Sequence, residues 1–249
     1  MTSREQMLDR IRMALGRPPA EPMTATVEAR PLPPARLEGV MPPISSDQLV
    51  AKFESEVEKL SGSVCRAANT RELETVLRQT LGAAHARRVV VSRNPLLSEL
   101  GLADKLTSWG MAVSQWTAES RAGAAEAGQQ VTSFREASFE AEVGLTGVEF
   151  VLAETGSLIL TSRTEGAQLA SLAPPVHVAL YRESQVLASL DDVLERLKEA
   201  GGPLSPDPGR SVVFVTGPSR TADIEQVLIR GVHGPREVHA ILIGEPCLT

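Results

Sequence analysis

Residues 212–225 read V-V-F-V-T-G-P-S-R-T-A-D-I-E. Four apolar residues, Val212 to Val215, run into Thr216 and a Gly217-Pro218 turn, the pattern of a short buried strand with a defined end. Small hydroxyl residues follow, and the stretch from about Thr221 to Ile229 reads as a helix. Strand, tight turn and helix in succession form the repeating unit of an α/β fold. The same alternation runs upstream. Leu49, Phe53, Val57 and Leu60 mark one helical face, with Ser45 and Gln48 as a capping box. A strand is expected at Ser63 to Ala67, then a helix from Thr70 with Leu73, Val76, Leu77 and Leu81 inward. Arg88 to Ser92 reads as a buried strand, Pro95 to Trp109 as a helix broken at Gly101, and Met111 to Gln115 as a strand. The Ala-rich residues 117–142 read as helical. In the second half Glu149 to Ala153, Ser157 to Ser162, Val176 to Tyr181 and Val238 to Ile243 are strand-like. Ser189 to Ala200 is a helix opened by a Ser189/Asp192 capping box. The prediction is α/β, a mostly parallel open sheet flanked by helices on both faces, with ligands at the carboxyl ends of its strands.

Residues 1–44 stand apart. Met7, Leu8, Ile11, Ala14 and Leu15 recur at helical spacing and Gly16 closes that short helix. From Arg17 to Pro43 the chain is rich in proline and poor in large apolar residues, which predicts an extended linker. The expected division is 1–44, helix and linker, and 45–249, the α/β domain.

The composition narrows the function. The formal net charge is −6, whereas a nucleic-acid-binding domain carries a basic excess. Aromatic residues make up 3% of the chain, too few for base-stacking platforms. The two cysteines, Cys65 and Cys247, have no metal-type spacing, so neither a disulfide framework nor a cluster held by this chain alone is expected. Met1 to Leu15 lacks the apolar core of a signal peptide. No stretch reaches the roughly 18–20 apolar residues of a membrane span. A cytoplasmic protein is expected.

Three groups of residues could carry chemistry. The first is the turn after Val215. Backbone N–H groups at a helix start favour an anion, Ser219 and Thr221 add hydroxyl donors, and Arg220 adds a forked cation. The alternative is an ordinary helix start, capped by Ser219 or Thr221, with Asp223 complementing its dipole. The second is Ala153-Glu154-Thr155-Gly156-Ser157 between two apolar strands. A buried Glu154 would have a raised pKa suited to acid–base or nucleophilic work; the alternative is a plain turn with Gly156 at positive φ. The third is His233 in Gly231-Val-His-Gly-Pro235, a candidate proton shuttle or anion contact. His177 and His239 fall within strands, where a core role is the ordinary outcome.

The stretches A-E-T-G-S at 153–157, L-A-P-P-V-H at 172–177, T-G-P-S-R-T-A-D-I-E at 216–225 and G-V-H-G-P at 231–235 together resemble the LutC/YkgG family, also called LUD-domain proteins. The resemblance covers about Val148 to Ile243. It implies a fold like that of the sugar-phosphate isomerase and CoA-transferase group. It also implies a part in oxidising L-lactate to pyruvate within a three-component system. In that system the iron–sulfur clusters sit on cysteine-rich and iron–sulfur partner proteins, and this chain binds no cofactor. Carried over, the motifs give Glu154 and His233 as catalytic candidates. They give Thr155, Gly156, Gly217, Ser219, Arg220, Thr221, Asp223 and Gly234 as ligand or anion contacts, the anion being lactate or phosphate-like. A different reading of the same fold group is a stand-alone CoA-transferase-like or sugar-phosphate isomerase-like enzyme that uses Glu154. Another is an interaction module that uses the proline-rich segment.

Overall fold

Val89, Val90 and Val91 are all buried, and such a run needs a sheet covered on both faces. That is the sheet the chain builds. The computed structural model describes residues 3–14, 16, 45–116, 133–199, 211–222, 228–244 and 247. The strands are β1 (Ser63–Ala67), β2 (Arg88–Val91), β3 (Ala112–Gln115), β4 (Val143–Thr146), β5 (Phe150–Leu152), β6 (Ser157–Thr161), β7 (Val176–Tyr181), β8 (Val186–Leu187), β9 (Val212–Val215), β10 (Arg220–Ala222), β11 (Leu228–Arg230) and β12 (Glu237–Ile243). Six of them form a wholly parallel sheet in the order β1-β12-β7-β4-β2-β3.

Helices α3 (Thr70–Ala83), α4 (Pro95–Glu99) and α5 (Leu102–Ser108) cover one face of this sheet. Leu73, Leu77, Leu97, Leu102 and Leu106 pack there on Val89, Val91, Leu145 and Leu180. Each such leucine contributes roughly 1.5–3 kcal/mol on burial. Asn69 caps α3 by accepting from Glu72 N at 3.0 Å. Gly101, at φ 59°, separates α4 from α5 at the expected break. The other face meets α2 (Ser46–Lys59) through Phe53 and Val57, which pack with Ala179, Tyr181 and Ala240. There the Phe53 and Tyr181 rings stand edge to face at 5.1 Å.

A second sheet, β8-β5-β6-β9, packs on that same side through Val151, Leu158, Leu160 and Val215. Helix α9 (Leu190–Glu199) closes its outer face with Val193 and Leu197. The β5–β6 and β6–β9 pairs are antiparallel. These strands therefore do not join the parallel sheet as the alternation suggested. Only four residues link β5 to β6, and a parallel crossover needs a dozen or more.

Three further expectations change. Ser45 takes Gln48 N on its backbone oxygen at 2.9 Å, with no side-chain cap. β4 was not foreseen. It follows directly on a helix at 133–140, here α6, within the Ala-rich region, whose residues 117–132 lie outside the described ones. The helix expected from Thr221 to Ile229 is not formed at its ends: β10 and β11 pair antiparallel there, Thr221 opposite Ile229. Antiparallel pairing with a strand a few residues on overrides the helix pattern there. Residues 223–227 lie outside the described ones. Two short helices, α7 (Ser162–Glu165) and α8 (Leu169–Leu172), complete the domain, and Ser189 and Asp192 form the expected reciprocal cap of α9.

The chain divides into two compact units, Met1–Pro43 and Ile44–Thr249. In the first, α1 (Ser3–Ala14) leaves Met7, Ile11 and Met13 exposed.

Candidate functional site

The motif-bearing turns of the sequence gather at one shoulder of the molecule, at the C-terminal end of α2. Gly156 has φ 66°, and a Cβ there would lie 2.6 Å from Val57 N, so the 153–156 turn needs glycine to pack on α2. Gly217 abuts Leu60. Arg220 Nη2 donates to Leu60 O and, at 2.8 Å, to Ser61 Oγ. Three hydroxyls join the turns: Thr155 and Thr216 each lie 2.7 Å from Ser157 Oγ. Ser219 N donates to Pro235 O at 2.8 Å, and Gly231 N donates to Ser219 O at 3.0 Å. Gly234 fits closely against Ser219.

The expected motif residues thus meet, but not as the expected cradle. Because 220–222 is a strand, no helix start presents N–H groups at Ser219 and Thr221. Arg220 is committed to the end of α2, an orphan-carbonyl cap. Glu154 is half-buried, and its carboxylate accepts from Leu190 N at 3.4 Å, in the first turn of α9. His233 is exposed in its loop, and Asp223 lies outside the described residues. The shoulder also lies towards the amino ends of the parallel strands: Arg236 N donates to Pro175 O just before β7, and Ser61 precedes β1.

The carboxyl ends hold a different constellation. β2 leads outward to β3 at one edge of the sheet, whereas its neighbour β4 leads to β7 on the opposite side. The gap between β2 and β4 is therefore a topological switch point, where α/β sheets open a crevice. Glu165, at the end of α7, is 1% exposed and fills its floor. Ser92 Oγ, just past β2, donates to its carboxyl at 2.5 Å, and Gly147 N, just past β4, donates at 3.2 Å. Asn94 Nδ2 donates to it as well. Asn94 does two jobs, since its Oδ1 also caps α4 by accepting from Leu96 N at 3.0 Å. Burial pushes the Glu165 pKa up, against the opposing pull of these donors.

Thr164 links this buried carboxyl to a second one. Its Oγ1 lies 3.2 Å from Glu165 Oε1 and 3.2 Å from Glu149 Oε2. Thr161 Oγ1 donates to Glu149 at 2.8 Å, and Arg163 pairs with it. Above them is a cavity of about 200 Å³, walled by Asn94, Glu99, Glu149, Thr164, Arg182 and Gln185 among others. Arg182 follows β7 and pairs with Glu99. Gln185 Nε2 fixes the wall by donating to Val148 O at 2.7 Å.

None of Ser92, Asn94, Glu149, Thr164, Glu165 or Arg182 stood out as a site residue in the sequence. Each is a common residue type in no fixed motif, and only the tertiary fold, the parallel sheet together with the β5–β6 pair and α7, brings them together. The signal available was positional: Ser92, Asn94 and Arg182 directly follow apolar strands, where ligands bind in such folds.

β7 carries a related feature. Among the described residues, the buried side-chain atoms without a hydrogen-bond partner are His177 Nδ1, Tyr181 Oη and Arg182 Nε, all on β7 or at its end. His177 is fully buried, 2.8 Å from Thr146 Oγ1 through Nε2. Burial, with a smaller push from His239, lowers its pKa to about 3. An imidazole held neutral in the fold but protonated at 6.5 when unfolded costs stability as pH falls from about 6.5 towards 3. Unfolding titrations of the protein and His177→Gln between pH 4 and 7 check this. The stability difference between the two proteins should shift in favour of the wild type as pH rises through that window, because only the wild type carries the imidazole.

The fold and crevice define an α/β protein with a parallel sheet, a switch-point cavity and an appended antiparallel sheet. A family model described as the LUD domain matches residues 50–243, and the chain belongs to that family. It is 28% identical over 250 residues to lactate utilization protein C of Bacillus subtilis (strain 168), an alignment covering 98% of this chain and 97% of the relative. It is 27% identical over 245 residues to lactate utilization protein C of Oceanobacillus iheyensis, covering 97% and 98%. Among solved structures, the crystal structure of a DUF162 family protein from Deinococcus radiodurans shares the fold. Its TM-score is 0.55 at 22% identity, over 81% of this chain and 100% of that one. Among the described residues no helix is long and apolar enough to cross a membrane.

Proposed function

We propose that the chain serves lactate utilisation as the LutC-like component of an iron–sulfur-dependent system that oxidises L-lactate to pyruvate. The observation that carries this reading is the end-to-end similarity to lactate utilization protein C of Bacillus subtilis. Oxidation removes two electrons and two protons from lactate. In this reading the electrons pass to clusters on cysteine-rich and iron–sulfur partner proteins. The chain itself, with Cys65 and Cys247 as its only thiols, contributes binding and proton handling. Arg220 acts in this scheme as a positioning residue that ties the shoulder to α2, rather than as the anchor of the lactate carboxylate. The working compartment is the cytoplasm.

The test is reconstitution. The purified chain should not oxidise L-lactate alone, and the partner proteins should need it for full turnover. Robust oxidation by the isolated chain, or an equal rate from the partners without it, would overturn the reading.

A further inference from the structure

The switch-point crevice combines three features that the fold itself does not use. The first is its volume. About 200 Å³ equals the liquid share of roughly six or seven waters, so it suits a molecule of a few heavy atoms.

The second is Arg182. Its Nε is buried without a partner, and a buried donor left unmade is costly. Its guanidinium pairs with Glu99, whose side chain is 51% exposed. Exposed ion pairs are weak and readily exchanged. A ligand carboxylate could take Nε–H and one Nη–H together, the forked geometry that arginine favours, and displace Glu99.

The third is the arrangement of protons. Thr164 Oγ1 has one hydrogen but stands between two carboxyl groups. Both contacts are satisfied when Glu165 is protonated on Oε1 and donates to Thr164 Oγ1, while Thr164 donates to Glu149. The raised pKa of the buried group agrees. The order Glu165–Thr164–Glu149 then leads from the sealed floor to the crevice wall. When Glu149 takes up a proton, Glu165 keeps its own and Thr164 stays bonded to both, so no charge is added beneath the sheet.

We propose that this crevice binds a small carboxylate that also carries a hydroxyl. Arg182 takes the carboxylate, Glu149 accepts from the hydroxyl, and Thr164 couples Glu149 to Glu165. The choice of L-lactate as the first probe rests on the functional reading above, whereas the crevice and its chemistry do not.

The experiment titrates the full chain with L-lactate, acetate and inorganic phosphate, followed by calorimetry and by the infrared band of protonated carboxyls. L-lactate should bind saturably and more tightly than acetate or phosphate. Arg182→Gln should weaken it about tenfold or more, the loss of a charge-assisted contact. Glu99→Gln, which removes the competing anion, should strengthen it severalfold, an outcome that no unfolding artefact can mimic. The protonated-carboxyl band should vanish in Glu165→Gln. In Thr164→Val it should persist but no longer respond to L-lactate. Absence of L-lactate binding, binding indifferent to Arg182 and Glu99, or acetate bound as tightly as L-lactate would each overturn the proposal. If Arg182-dependent binding holds while the reconstituted system needs no such chain, the functional reading falls and the crevice stands. If reconstitution succeeds while Arg182→Gln binds L-lactate normally, the reverse is true.

Discussion

Glu165→Ala should destabilise the protein by about 3 kcal/mol or more, measured by urea unfolding near pH 7. The carboxyl is 1% exposed and is approached by Ser92 Oγ, Asn94 Nδ2, Thr164 Oγ1 and Gly147 N. Alanine leaves at least two buried donors unmatched, each costing roughly 1–3 kcal/mol, and opens a void between β2 and β4. Glu165→Gln keeps the shape and an acceptor oxygen, so its cost should be smaller, about 1 kcal/mol. The pH dependence separates the two effects. Because the folded pKa is raised above 4.5, the folded state holds the proton more tightly than the unfolded one. The contribution is full below about 4.5 and is lost as pH rises through the folded value. The advantage of wild type over Glu165→Gln should therefore shrink as pH rises across that window. This trend is opposite in sign to that of His177. A wild-type advantage that grows with pH would mean that Glu165 is ionised in the fold.

Gly144→Ala should be at least as damaging, with a loss of about 3 kcal/mol or an insoluble product. Gly144 lies at the centre of β4 and pairs in register with Val90 and His177. A Cβ there would stand 1.7 Å from the Ala170 carbonyl oxygen. The obstacle is backbone, so no rotamer change relieves it, and overpacking of this kind costs about 1–3 kcal/mol, occasionally more. Either α8 must lift or β4 must shift, and β4 carries Gly147, Val148 and Glu149 into the crevice. Thermal unfolding measures the loss. Any soluble Gly144→Ala protein should also bind L-lactate more weakly, since a shift of about 1 Å is enough to misalign a site. A melting temperature equal to wild type would show that the close approach of α8 is not part of the fold.

Much of the architecture was legible locally. The helical faces of α2 and α3, the break at Gly101, the reciprocal Ser189/Asp192 cap and the apolar runs of β2, β7 and β12 follow from side-chain period and capping chemistry, which need only neighbours in the chain. The family motifs at 153–157, 216–222 and 231–235 were also legible.

Their role was not. Thr221 and Ile229 carry a helix-like pattern, yet the chain pairs them across a ladder. Arg220 reads as an anion contact until the end of α2, about 160 residues away in sequence, claims its guanidinium. Glu154 reads as a candidate buried carboxyl, whereas the fold leaves it half-buried with Leu190 N 3.4 Å away.

By itself, then, the sequence determined most of the elements, though not β4, β10 or β11, together with the parallel class of the main sheet and the family, because period, capping and motif order are properties of adjacent residues. Only the tertiary structure decided that β5, β6 and β9 form their own sheet, that β2 and β4 are neighbours, and that Glu165, Asn94, Glu149 and Arg182 share a crevice. Strand order is fixed by which apolar faces bury one another across long separations. A buried carboxyl acquires its unusual chemistry only from the water that this packing removes.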